Sequence, residues 1–348
     1  MPMKKTDAKA LARERLRGVW AAAPTPFRPD DLALDEAGLR ANVAHWIGEL
    51  KVDGLFIGGK QGEFFSMSVP ERKRLFEVSA DAARAVGGQV ILSCSDQNLD
   101  TVLDLARHAQ AIGAEWIVVH SPMLHFGRDV DDTVFEYYRH VAGQVDLGIA
   151  MWSHPDAGYL MSPELCARIA DAVPNVVAIK YSVERALYAR LTRMTEGRLI
   201  VSTASEDEWL DNIVELGWRL YLCSIPPLLY QRAGDTRIRD YTDAALRGDV
   251  ELARRISASL DPVRRALKGS RPPGTPHAQQ KHWLDRLGRV GGPVRRPLLP
   301  LTDAQRAAID AAFDACGLAA PAGAGAAAAS VPDATAGRAT PPAAAAQR

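Results

Sequence analysis

Val176-Val177-Ala178-Ile179-Lys180-Tyr181-Ser182 runs from apolar to polar along seven residues. That is the pattern of a buried parallel strand where it emerges at its C-terminal end. A lysine there is half sheltered and faces the mouth of the sheet. With an unperturbed pKa near ~10.4, only on the order of one amine in a few thousand is neutral at pH 7. Burial or a neighbouring cation brings the pKa toward roughly 7–8 and frees the lone pair to attack a carbonyl. Taken alone, the segment fits better a strand-end lysine that reaches solvent or pairs with an acid.

Working outward, further apolar runs occur at 19–23, 55–58, 90–93, 116–120, 147–152, 199–202 and 220–224. Each is followed by a stretch with helical apolar spacing. Helix starts are marked at Ser68-Val69-Pro70-Glu71, at Ser162-Pro163-Glu164 and at Ser205 before Glu206-Asp207. The repeat is about 26–30 residues, the length of one βα unit. Eight such units predict an α/β fold, a closed (β/α)8 TIM barrel. An open doubly wound sheet would want a Gly-rich turn after the first strand, where Ala22-Ala23-Pro24-Thr25-Pro26 stands instead.

Helical patterns near 227–247, 249–267, 277–288 and 302–316 follow the last strand. One completes the barrel and the others form a C-terminal helical extension. The expected division is a charged, frayed or surface N-terminal helix at 1–17, a barrel at 18–247, the extension at 248–317 and a disordered Ala/Pro-rich tail at 318–348. The tail has too few large side chains to offset the entropy of ordering it.

Composition narrows the function classes. Of the 348 residues, 47% are hydrophobic, and 42 Lys plus Arg balance 42 Asp plus Glu. No global field recruits nucleic acid or an anionic membrane. No apolar stretch reaches the ~18–20 residues needed to span a bilayer, and the N-terminus lacks the apolar centre of a secretory signal. Cys94, Cys166, Cys223 and Cys316 show no C-x-x-C spacing and read mostly as inert core thiols, which suits a reducing cytoplasm. The His and acidic residues are scattered, so neither a metal nor another cofactor is expected.

In a barrel the strand C-termini and the loops after them build the active site. Those positions hold Thr25, Gly59 to Glu63, Ser95, His120, Ser121, Trp152 to His154, Lys180 to Ser182, Ser202 to Ser205 and Cys223 to Ile225. The turn Gly58-Gly59-Lys60-Gln61-Gly62-Glu63 offers backbone N–H groups to a carboxylate or phosphate, or is simply a tight βα turn. His154, His120 and His125 can shuttle protons near neutral pH, or be hydrogen-bonded loop residues.

Thr25-Pro26-Phe27, Gly59-x-x-Gly62-Glu63 with Ser68-x-x-Glu71-Arg72, and Ile179-Lys180 occur in this order across about 17–317. In this the chain resembles the dihydrodipicolinate synthase / N-acetylneuraminate lyase family of class I aldolases. The resemblance implies a barrel with a helical extension, a homotetramer or homodimer, and a lysine that forms a Schiff base with pyruvate or another 2-oxo acid. Lys180 falls on that lysine. Gly59, Gln61 and Gly62 fall on the turn that holds the keto-acid carboxylate. Thr25, Ser182, His120, Ser205 and Ile225 complete the expected substrate-binding set.

The departures carry as much weight. Lys60 and Gln61 stand where the family turn has two threonines, and Trp152 where a tyrosine shuttles protons. Met123-Leu124 falls near a second tyrosine, and Ala157 on an arginine that binds the aldehyde's carboxylate in lysine biosynthesis. These changes remove parts needed for dihydrodipicolinate synthesis. The expected activity is therefore a Schiff-base lyase, an aldolase or hydratase-aldolase on pyruvate or a substituted 2-oxo acid. Lys60 would neutralise the substrate carboxylate or help lower the Lys180 pKa, and His154, His120, His125 or Glu63 would carry the proton. Trp152 suits a bulky or aromatic substrate. Two alternatives stand beside this: an impaired barrel that binds a small carboxylate as a sensor, and a lysine-pair decarboxylase.

Overall fold

The computed structural model describes residues 3–124, 129–157 and 159–318. His125 lies outside the described residues, as does the expected disordered tail apart from Leu318, which is buried in the core. Eight strands alternate with helices: β1 Gly18–Ala22, β2 Gly54–Ile57, β3 Gln89–Ser93, β4 Trp116–His120, β5 Gly148–Ser153, β6 Val176–Tyr181, β7 Ile200–Ser202 and β8 Leu220–Leu222. All paired strands are parallel, in the order β7-β6-β5-β4-β3-β2-β1-β8. Between β7 and β8 a side chain substitutes for the ladder: Leu222 N–H donates to Ser202 Oγ at 2.7 Å, and Ser224 N–H reaches Ala204 O at 3.3 Å. The result is a TIM barrel followed by C-terminal helices.

Two apolar layers follow from strand alternation. One lies between strands and helices. The other fills the barrel with Trp20, Phe56, Ile91, Trp116, Val118, Ala150, Trp152, Ala178 and Leu222. Glycines make room for its largest members. A Cβ on Gly54 would fall 2.5 Å from the Trp20 ring, and one on Gly148 2.4 Å from the Trp116 ring.

Strand β6 departs from simple alternation. Its register with β5 shifts between Ile149 and Ala150, so Ile149 pairs with Val176 while Ala150 pairs with Ala178. Val177 and Ala178 both belong to the inner layer, and Ile179 and Tyr181 to the outer one. The irregularity resets the parity, and Lys180 therefore points into the barrel, where an unbroken alternation from Val177 would turn it outward.

The N-terminal helix Ala8–Arg15 is a surface helix, one of the two forms expected of 1–17. It is not frayed: Ala8 and Ala12, with Leu16 just beyond, are buried against the inner layer at the N-terminal end of the barrel. Their spacing of four places them on one face, and their small size lets the helix approach closely. At the other end of the chain, His277–Arg286 and Asp303–Ala315 pack together, with the Trp283 and Phe313 rings 5.1 Å apart.

Candidate active site

At the C-terminal end of the sheet the ladder aligns His120 with Trp152, Trp152 with Lys180, and Lys180 with Ser202. These four form one level of the barrel interior, where the apolar filling ends. Lys180 is only 3% exposed. Its Nζ donates to Cys223 O at 2.7 Å and lies 5.0 Å from the centre of the Phe56 ring. It has no carboxylate partner among the described residues. Burial, with a lesser contribution from the charge of Lys60 and against an opposing pull from Cys223, lowers its pKa from 10.5 to about 8.

Above this level a cavity of about 440 Å³ opens. Phe64, Phe65, Met67, Met123 and Trp152 supply its apolar wall; Lys60, Asp96, Gln97, His120, His154 and Asp156 supply its polar groups. Phe56 bridges to the lysine below, its ring 6.4 Å from that of Trp152. Trp152 Nε1 is buried with no partner among the described residues. His120 Nδ1 lies 2.8 Å from Ser121 O, and His154 Nδ1 accepts from Asp156 N–H at 3.0 Å. Burial lowers the pKa of both rings, and Lys60 lowers that of His154 further.

Lys60 is ion-paired with Asp156 across the cavity mouth. Asp96 is held by Arg72, a buried guanidinium that also donates to the carbonyls of Ser93 and Ser95 at 3.1 and 2.8 Å.

The turn from Gly59 to Glu63 is built for close approach. A Cβ on Gly62 would meet the Gly58 backbone at 3.1 Å, so only glycine fits without displacement. Thr25 Oγ1 donates to Gly62 O at 2.8 Å, and Gln61 Nε2 to Ser224 Oγ at 3.0 Å. The N–H groups of Lys60, Gln61 and Gly62 meet no acceptor among the described residues.

Glu63, expected among the proton carriers, is removed from that role by its surroundings. It is fully buried in the left-handed region at φ 57°, with Oε1 2.5 Å from Lys281 Nζ and Oε2 accepting from Arg295 N–H at 3.0 Å. Lys281 also donates to Pro293 O at 2.8 Å and sits 4.3 Å from the Phe27 ring centre. His277 Nε2 donates to Lys60 O at 2.8 Å. The C-terminal extension thus grips the turn from outside the barrel.

The expected residues therefore fall into groups. Lys60, His120, Trp152 and His154 line the cavity, with Lys180 below. Thr25, Gly59, Gln61 and Gly62 gather at the β1, β2 and β8 ends beside it. Ser182 follows β6; its N–H donates to Ser153 O at 3.0 Å, and its buried Oγ has no partner among the described residues. Ile225 is buried just before the short helix Pro226–Leu229, and half-buried Ser205 follows β7; neither lines the cavity. Sequence reading missed Phe56, Phe64, Asp96, Gln97, Asp156, His277 and Lys281. Strand parity could have supplied Phe56, two residues before the Gly58 turn; the others come from loops or from the extension.

The profile of the Dihydrodipicolinate synthetase family matches residues 15–316, and the chain belongs to that family. It is 28% identical over 293 residues to the 4-hydroxy-tetrahydrodipicolinate synthase of Methanothrix thermoacetophila, an alignment covering 84% of this chain and 94% of that one. To a probable 5-dehydro-4-deoxyglucarate dehydratase of Saccharopolyspora erythraea it is 29% identical over 305 residues, covering 85% and 93%. Among solved structures it is similar to YagE of E. coli K12, a prophage protein of the dihydrodipicolinic acid synthase family in complex with pyruvate. The TM-score is 0.76 at 24% identity, covering 87% of this chain and 99% of that one. Enzymes of the family are class I, Schiff-base lyases of pyruvate and related 2-oxo acids. No helix among the described residues is long and apolar enough to cross a membrane.

Proposed function

We propose that this chain is a Schiff-base lyase, an aldolase or hydratase-aldolase, acting on pyruvate or a substituted 2-oxo acid, with Lys180 as its nucleophile. The observation that carries the reading is a buried amine on the same strand level as His120 and Trp152 of the cavity wall, bonded to a carbonyl and to no carboxylate among the described residues. Neutral Lys180 attacks the ketone, water leaves, and the iminium draws electrons from the neighbouring carbon. The N–H groups of the turn at Gly59, Gln61 and Gly62 suit the keto-acid carboxylate. Lys60, already paired with Asp156, acts on Lys180 mainly as a nearby charge.

We propose further that the activity is not 4-hydroxy-tetrahydrodipicolinate synthesis. Trp152 has no ionisable hydroxyl, and Met123 is an apolar wall of the cavity near the second expected tyrosine position. That wall, with Phe64, Phe65 and Trp152, favours a bulky apolar or aromatic group on the substrate.

Borohydride reduction with pyruvate, read by intact mass, tests the nucleophile. Wild type should gain one reduced pyruvate at Lys180, and Lys180→Ala none; absence of the gain in wild type would remove the aldolase reading. A homotetramer or homodimer is the assembly we propose, measured by light scattering.

A further inference from the structure

Resting on the reading of Lys180 as the Schiff-base former, we propose that His120 carries the reaction's proton and that His154 is a fixed hydrogen-bond donor to the substrate oxygen.

The two rings present opposite chemistry to one cavity. His120 Nδ1 lies 2.8 Å from a carbonyl oxygen, that of Ser121. A carbonyl only accepts, so Nδ1 holds the ring hydrogen and neutral His120 offers a lone pair at Nε2. His154 Nδ1 lies 3.0 Å from the backbone N–H of Asp156. An N–H only donates, so Nδ1 is bare and neutral His154 carries its hydrogen on Nε2. Neither Nε2 has a partner among the described residues, and both side chains line the cavity. Burial favours the neutral form of each, which preserves this division at pH 7.

Position supports the same division. His120, Trp152 and Lys180 share one level of the barrel, and the His120 and His154 rings lie 6.0 and 6.1 Å from that of Trp152. The Phe64 ring, 6.3 Å from His120, packs beside it. The neighbouring groups that could take a proton instead are engaged: Asp96 by Arg72, Asp156 by Lys60 and Glu63 by Lys281.

The proton balance then closes on one residue. In the pyruvate iminium, His120 Nε2 takes a proton from the methyl carbon, the C–H pair becomes the C=C of the enamine, and the iminium nitrogen becomes neutral. On addition to an aldehyde, the enamine forms the new C–C bond and regenerates the iminium. The aldehyde oxygen becomes an alkoxide, held by His154 Nε2–H, and recovers the proton from His120. His154 does not transfer its own hydrogen, since that would leave an anionic ring. Cleavage follows the same steps in reverse.

The test is deuterium exchange into the pyruvate methyl group in heavy water, followed by NMR, alongside borohydride trapping. The first variant is His120→Asn, whose amide nitrogen can keep the bond to Ser121 O while removing Nε2; His120→Gln is the second, used if the first does not fold. The expected result is exchange reduced roughly 10²–10⁴-fold, the usual contribution of a general base, with trapping retained. His154→Leu should keep both exchange and trapping while losing carbon–carbon cleavage or addition with a turned-over 2-oxo acid, and His154→Gln, still a donor, should recover part of it. Exchange within threefold of wild type in a folded His120 variant overturns the proposal. So does wild type that traps pyruvate but does not exchange it, which leaves the Schiff-base reading standing. Failure of wild type to trap removes both.

Discussion

A lysine amine enclosed by an aromatic ring, a carbonyl and the strands of a barrel loses the water that would solvate its charge. Lys180 answers by releasing its proton nearer neutrality, at about 8. The amine attacks only when neutral, so its reaction with pyruvate should accelerate as pH rises toward that value and level off above it, where an exposed lysine would keep gaining until about 10.4. Lys60 adds its charge to the effect of burial, and removing it also leaves Asp156 unneutralised. Lys60→Gln should therefore move the inflection upward, by less than about one unit, in a pH profile of the trapping rate. Trp152 offers a different residue-scale test. Its buried Nε1–H has no partner among the described residues and stands in the cavity wall, where a substrate acceptor can meet it. Trp152→Phe should weaken binding of any substrate that accepts from that N–H, read as a raised Kd, while the lost packing in the inner layer lowers urea stability.

Among the elements, glycine decides what the barrel can hold. Gly148→Ala would drive a methyl group into the Trp116 ring, with Val177 closing the other side at 3.4 Å. Overpacking of this kind should cost about 1–3 kcal/mol in urea unfolding, where the same change at Gly143, with nothing within 4 Å of its Cβ, should be nearly silent. The strands themselves were legible because each is a short apolar run bounded by polar residues, and the helix Val69–Ala85 because Ser68 and Glu71 form a capping box. Two things at this scale were not legible. The register shift in β6 leaves no mark in composition, since Val176-Val177-Ala178 reads as uniform strand whichever way its side chains turn. The contact of the N-terminal helix with the barrel is the other: in a stretch as charged as 1–17, alanines at 8 and 12 carry no apolar signal, and their smallness is what permits the contact. The candidate site was legible at the positions strand ends dictate, Lys180, His120 and Trp152. It was obscure wherever a partner comes from a distant loop, as Asp156 does for Lys60.

Across the whole molecule, the extension and the barrel meet at the turn that faces the cavity. Glu63 sits in a backbone region few non-glycine residues occupy, and it does so with both carboxylate oxygens engaged by residues of the extension. Breaking a buried ion pair by removing one partner costs about 3–5 kcal/mol, because the other charge is stranded. Lys281→Met should lower stability by that order in urea unfolding. Lys281→Met paired with Glu63→Gln should recover part of the loss, and both variants should raise the pyruvate KM more than they lower kcat. Inheritance is constrained in turn. The code for Glu63 and the code for Lys281 lie on opposite sides of most recombination points in the gene. A crossover between them with any relative that lacks one of the two residues would leave the other charge stranded in the interior of the offspring.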